Sequence, residues 1–110
     1  MKYTLKNVRT FEICPGFTAR FVHSENMTLS FVEVAGGADL PEHAHPHEQV
    51  LNMLEGQFEL TLDGGKLNLS AGDVVVIPSN MPHAGRALTD CRILDVFQPA
   101  REDFKNINVN

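Results

Sequence analysis

Cysteine is scarce: Cys14 and Cys91 are the only two in 110 residues, and they stand too far apart for a zinc ribbon or a disulfide scaffold. Both are read as reduced thiols. Basic residues are few as well, nine Lys and Arg against fourteen Asp and Glu, for a formal charge of -5. They are scattered rather than gathered into a stripe, which argues against a nucleic-acid partner but leaves room for an anionic small molecule, since that needs only one local cation. No apolar run is long enough to span a bilayer, so no membrane partner is expected. The first eight residues alternate polar and apolar and hold no apolar core of about 7–15 residues, so no signal peptide is visible and a cytoplasmic location is the expectation. An amphipathic helical pattern is also missing, which excludes a parallel α/β sheet.

What is present is ordinary in amount and distinctive in order. Apolar residues make up 43% and charged residues 21%, the balance of a soluble globular chain. The length suits one domain over residues 1–110, able to hide roughly two thirds of the surface that its unfolded form exposes.

Short strands dominate the pattern. Tyr3 to Ile13 is an edge-strand candidate that Cys14-Pro15-Gly16 breaks. Phe17 to Val22 and Met27 to Val34 follow; in the second, Met27, Leu29 and Phe31 alternate with Thr28 and Ser30, period two with one buried face. Gln49 to Leu54, Gln57 to Leu62 and Lys66 to Leu69 are separated by Glu55-Gly56 and by the hairpin signal Asp63-Gly64-Gly65. Val74 to Ile77 is an apolar run of β-branched residues, and Arg92 to Gln98 forms the last strand before a brief helical stretch at Ala100 to Phe104. Turn signals every eight to twelve residues make the class all-β, a sandwich or barrel. Closing the sheet would remove its edges and place a ligand cavity at one mouth.

The chemistry concentrates in His43-Ala44-His45-Pro46-His47-Glu48-Gln49, where three of the five histidines fall within five residues. Imidazole is the commonest transition-metal ligand, and residues i and i+2 of extended backbone point to one side, so His43 and His45 can meet one ion. His47 shares that parity and stays open as a substitute; Glu48 should face outward. The plain alternative is a polar loop rich in histidine with no native ion. Asp95 and Phe97, two apart on a strand, share one face, and Gln49, Leu51 and Met53 share another.

Two spaced blocks, Gly37-x5-His43-x-His45-x3-Gln49-x6-Gly56 (motif 37–56) and Gly72-x5-Pro78-x-Asn80-x2-His83 (motif 72–83), resemble the two motifs of the cupins. The resemblance implies the cupin double-stranded β-helix, a jelly-roll barrel, as a homodimer with one divalent transition metal inside: nickel, zinc, manganese or iron. It carries the metal ligands over to His43, His45, Gln49 and His83. Gln49 stands where most cupins have glutamate. A neutral amide there leaves the ion's charge uncompensated, so the site should attract an anionic substrate and polarise its oxygens.

The block Asp95-x-Phe97-x-Pro99-x-Arg101-Glu102-Asp103-Phe104 is similar to the end of small cupins of pectin and alginate catabolism that convert unsaturated uronates to linear keto forms. That resemblance implies an isomerase of a small carbohydrate acid. Asp95 and Arg101 would be catalytic, with Phe97, Arg101 and Met53 contacting substrate. Asp95 would shuttle a proton, Arg101 grip a carboxylate and Phe97 form a flat wall. Each residue has a simpler role open to it: Asp95 pairing with an arginine, Phe97 packing in the core, Arg101 solvated beside Glu102 and Asp103, and Met53 filling a core gap. Two other functions stay open, a non-catalytic sensor that holds a sugar or metal, and a small metal-dependent dioxygenase.

Overall fold

The computed structural model describes residues 1–106. A short 3₁₀ turn, Leu5–Asn7, precedes ten strands: β1 Phe11–Cys14, β2 Phe17–His23, β3 Thr28–Val34, β4 Asp39–His43, β5 Glu48–Glu55, β6 Gln57–Leu62, β7 Gly65–Ser70, β8 Val74–Ile77, β9 His83–Ala87 and β10 Cys91–Gln98. A single-turn helix, α1 Glu102–Asn106, follows. Among the described residues no helix is long and apolar enough to cross a membrane.

The all-β class holds, but the closed jelly-roll barrel does not. The strands form two open antiparallel sheets, one in the order β1-β2-β3-β10-β5-β8 and one in the order β4-β9-β6-β7, with no ladder closing either sheet among the described residues. The physical reason is visible at Gly56. Its φ of +93° is left-handed, and a Cβ there would overlap the Asp90 carbonyl oxygen and the Cys91 side chain. The chain therefore turns out of the plane of β5, and β6 joins the facing sheet instead of pairing with its predecessor. The edges are protected without closure. β1 and β8 are only four residues long, and β1 and β4 carry register irregularities that interrupt pairing.

Alternating side chains from both sheets meet between them. Phe17, Ala19 and Phe21 of β2, Leu51 and Met53 of β5, and Phe58 and Leu60 of β6 are each at most 5% exposed. Phe17 and Phe58 meet edge to face with ring centroids 6.5 Å apart. Phe58 in turn lies so close over Gly85 of β9 that a side chain there would clash with its ring.

In β3 the alternation is as expected, yet the buried side is the other one. Thr28, Ser30, Val32 and Val34 face the core, while Leu29 and Phe31 are half-buried on the outer face and Met27 is 43% exposed. Thr28 tolerates complete burial because its hydroxyl oxygen accepts from the Arg101 backbone N–H (2.8 Å) and meets His23 Nδ1 at 2.8 Å. Leu5, at the amino end, lies by Arg20, Phe31 and Leu54 on the outer face.

Gly56→Ala is expected to destabilise the fold by about 3 kcal/mol or more, because the left-handed φ and the Asp90 carbonyl both oppose a Cβ. The measurement is the urea midpoint; an alanine variant as stable as the parent would contradict the account of this turn.

Candidate metal centre

Three histidines reach one point from three places in the chain. His43 ends β4, His83 begins β9, and the two stand directly opposite in the β4–β9 register, with ring centroids 4.2 Å apart. His45 lies in the connection that carries the chain from the small sheet to the large one. One ligand nitrogen from each of His43, His45 and His83 can be chosen so that all lie within 4.8 Å of one another.

Which nitrogen that is follows from the hydrogen bonds. His43 Nδ1 donates to Pro41 O (2.9 Å), His45 Nδ1 to His47 O (3.0 Å) and His83 Nδ1 to Met81 O (2.8 Å). A carbonyl can only accept, so each Nδ1 carries a proton and Nε2 is the nitrogen left to bind an ion. Burial holds the His45 and His83 rings in a neutral state. It pushes His45 down to about 4, helped by the Arg101 and His83 charges, and it lowers His83 as well. His43 sits at the exposed rim.

The residues fit a divalent transition ion. His83 Nε2 is buried without a hydrogen-bond partner. His45 Nε2 stands 3.1 Å from Gln49 Oε1, and with the proton on Nδ1 this brings two lone pairs face to face. Such a contact is repulsive, and a cation held by both atoms would relieve it. While Asp95 is ionised, Gln49 cannot relieve it by exchanging its amide atoms without losing a bond, because its Nε2 donates to Asp95 Oδ1 at 2.8 Å. His47, which lies in a bend rather than on extended backbone, is not brought into the cluster. It turns toward Phe97, and the charges of Arg101 and Asp103 bear on it.

Beside the centre is a cavity of about 300 Å³, at the small end of the range for ligand pockets. Asp95, Phe97 and Arg101 line it with His43, His45 and Gln49. Asp95 is open only on the cavity side, and burial pushes its carboxyl up to about 7 against the opposing pull of Gln49 and Arg101. Phe97 is 4% exposed, its ring edge to face with His45 at 5.6 Å. Met53 is not brought to the cavity: it faces inward as expected, but it is 2% exposed in the core beside Ile93. A larger groove of about 470 Å³ among Glu33, Glu55, Asp90 and Arg92 has no histidine in its lining.

Sequence reasoning missed Phe104, Ile13 and Cys14 as cavity walls. Phe104 had a usable signal, because three residues after Arg101 in a helical stretch is the spacing at which side chains meet, and the guanidinium does lie 3.9 Å from the Phe104 ring centroid. Ile13 and Cys14 had none, since only the pairing of β1 with β2 carries them there.

A raised carboxyl loses its contribution to folding over the pH range in which the unfolded chain releases a proton that the folded protein keeps. For Asp95 that contribution is complete below about pH 4, is lost as the pH rises toward about 7, and is absent above. Asp95→Asn, which keeps an acceptor for Gln49 and does not titrate, is therefore expected to stabilise the metal-free protein by about 1 kcal/mol or more at pH 8, with the gain shrinking toward pH 4. Urea unfolding across that range measures it; a gain that grows as the pH falls would reverse the argument.

The cupin domain family model matches residues 30–97. Among curated proteins the chain is 32% identical over 83 residues to the pectin degradation protein KdgF of Dickeya dadantii (strain 3937), covering 74% of this chain and 76% of that one. Two solved structures align with a TM-score of 0.88 and 29% identity. One is an RmlC-like cupin from Shewanella frigidimarina NCIMB 400, covering 93% of both chains, and the other is KdgF from a Halomonas species, covering 94% of this chain and 97% of that one. With three converging imidazoles between two facing sheets and a family match over more than half its length, this chain belongs to the cupin domain family.

Proposed function

We propose that the protein is a metal-dependent isomerase that ketonises a small unsaturated carbohydrate acid such as an unsaturated uronate. The observation that carries the reading is the placement of Asp95. Its carboxyl is bonded to the amide that faces the histidine cluster, and it opens into the same small cavity as the one cation in that lining, Arg101. The similarity to a protein named for pectin degradation agrees with it.

Ketonisation is an isomerisation in which one oxygen loses a proton and one carbon gains one, so a single carboxyl can serve both ends and return to its starting state. A carboxyl near neutrality suits that double duty, because donating and accepting are then both within reach. His43, His45 and His83 would hold a divalent ion with Gln49 as fourth donor; when bound, the ion supplies Lewis-acid polarisation of a substrate oxygen. Arg101 binds the carboxylate of the acid, and Phe97 and Phe104 keep water from the reacting face. The neutral Gln49 leaves the positive charge of the ion for the substrate to balance, which favours an anion.

The second element of the reading is a homodimer formed through the outer face of the large sheet. Val96, Val50 and Val76 lie side by side across β10, β5 and β8, with Leu54 near them, and Val74 and Val76 are 59% and 57% exposed. Apolar surface in such a row is expensive to leave in water.

Purified protein is expected to contain a divalent metal and to bleach the ultraviolet absorbance of an unsaturated uronate, with the activity lost on chelation and restored by metal. Bound metal with no bleaching above buffer would exclude the isomerase and favour a sensor. Gln49→Glu is expected to tighten metal and slow turnover; equal or faster turnover would remove the charge argument for the amide. Val76→Lys is expected to convert the dimer to monomer by light scattering, and a monomeric parent would exclude the interface.

A further inference from the structure

Arg101 is restrained on every side but one. Its backbone N–H donates to the buried Thr28 hydroxyl at 2.8 Å, which ties its Cα to β3. The guanidinium carbon lies 3.9 Å from the Phe104 ring centroid and 4.7 Å from that of Phe97, so both aromatic rings bear on it. Along one edge Nε donates to Asp103 Oδ1 at 3.0 Å and Nη2 donates to Asp103 Oδ2 at 2.8 Å, a two-point grip. The Arg101 side chain is 11% exposed and that of Asp103 is 56% exposed, so the carboxylate approaches from the solvent side.

A guanidinium has five N–H groups, and this grip uses two of them. Three remain, two on Nη1 and one on Nη2, and Arg101 borders the cavity. A carboxylate in the cavity can therefore be gripped at the Nη1–Nη2 edge without displacing Asp103. We infer that Asp103 is a positioning residue: by holding the Nε–Nη2 edge, it leaves the Nη1–Nη2 edge of Arg101 to receive the carboxylate of a small organic anion above the histidine cluster. This rests on reading the cavity as the binding site of a carbohydrate acid and adds how that acid is oriented, with its carboxylate toward α1.

The ordering matters because arginine has many rotamers to lose on binding, and a fork already fixed by a neighbour loses less. Contact with the two rings, whose planes stand 80° apart, does not by itself fix which N–H groups face the cavity, and the Asp103 carboxylate does. Glu102, the adjacent acid of the same turn, instead pairs with Lys105 at 3.2 Å and provides a matched control.

The test uses zinc-loaded full-length protein, saturated galacturonate as probe, and nitrogen-15 NMR of the Arg101 Nε–H. In the parent, galacturonate is expected to shift the Arg101 side-chain resonances. In Asp103→Asn, the Nε–H should exchange faster with water and galacturonate affinity should fall about tenfold; Asp103→Glu should recover most of the loss and Glu102→Gln should change neither. With unsaturated uronate, Asp103→Asn should raise KM at nearly constant kcat. The inference is overturned if galacturonate leaves the Arg101 resonances of the parent unmoved, or if Asp103→Asn binds within twofold of the parent. A parent that binds galacturonate through Arg101 but does not consume the unsaturated uronate leaves this inference standing and removes the isomerase reading.

Discussion

The arrangement depends first on three short hydrogen bonds from imidazole Nδ1 atoms to backbone carbonyls, at Pro41, His47 and Met81. Each acceptor is two residues from its histidine, so the local turn of the backbone, and not a distant side chain, sets the angle of each ring. The bonds settle the tautomer of the neutral rings and turn the three Nε2 atoms toward one another. Histidine can then serve as a ligand without first paying to lose a proton, because burial already holds His45 and His83 neutral.

Charge in this region is arranged in series. The Gln49 amide is a neutral donor, and the Asp95 carboxyl reaches the centre through that amide. Gln49 therefore does two things at once: it turns its oxygen toward the histidines and ties the position of that oxygen to a carboxyl that burial keeps near neutrality. On the far side of the cavity the guanidinium of Arg101 is balanced along one edge by Asp103.

Two open sheets serve this site as well as a closed barrel would. The site draws on both sheets, with His43 and His83 on adjacent strands of the smaller and Gln49 on the larger, and His45 lies where the chain crosses between them. The sharp turn at Gly56 that prevents β5 and β6 from pairing also keeps the sheets face to face. The space between them is filled by Phe17, Phe58 and Leu60 toward one end and remains a cavity near the histidines.

Much of this was legible in the residue order. Period-two alternation, β-branched runs and turn dipeptides are local signals, so the strands and the all-β class could be read directly. The i, i+2 spacing of His43 and His45 on extended backbone was enough to put both imidazoles on one side. Their partnership with His83 came from the resemblance to the two cupin motifs, since no local rule joins His45 to a residue 38 positions away.

What only the tertiary structure decided were the matters of partner and direction. Alternation in β3 shows two faces but not which one is inside; Thr28 wins over Met27 because Arg101, distant in sequence, and His23, opposite it on β2, satisfy its hydroxyl. Parity could not exclude His47, whose bend breaks the extended backbone that the parity argument assumes, nor separate Met53 in the core from Gln49 at the cavity on one face of β5. Closure of the sheets turned on a backbone contact between Gly56 and Asp90, and the state of the Arg101 fork on a bond to Asp103. Local pattern sets which side chains can share a face; the packing of one sheet on another sets what each face meets.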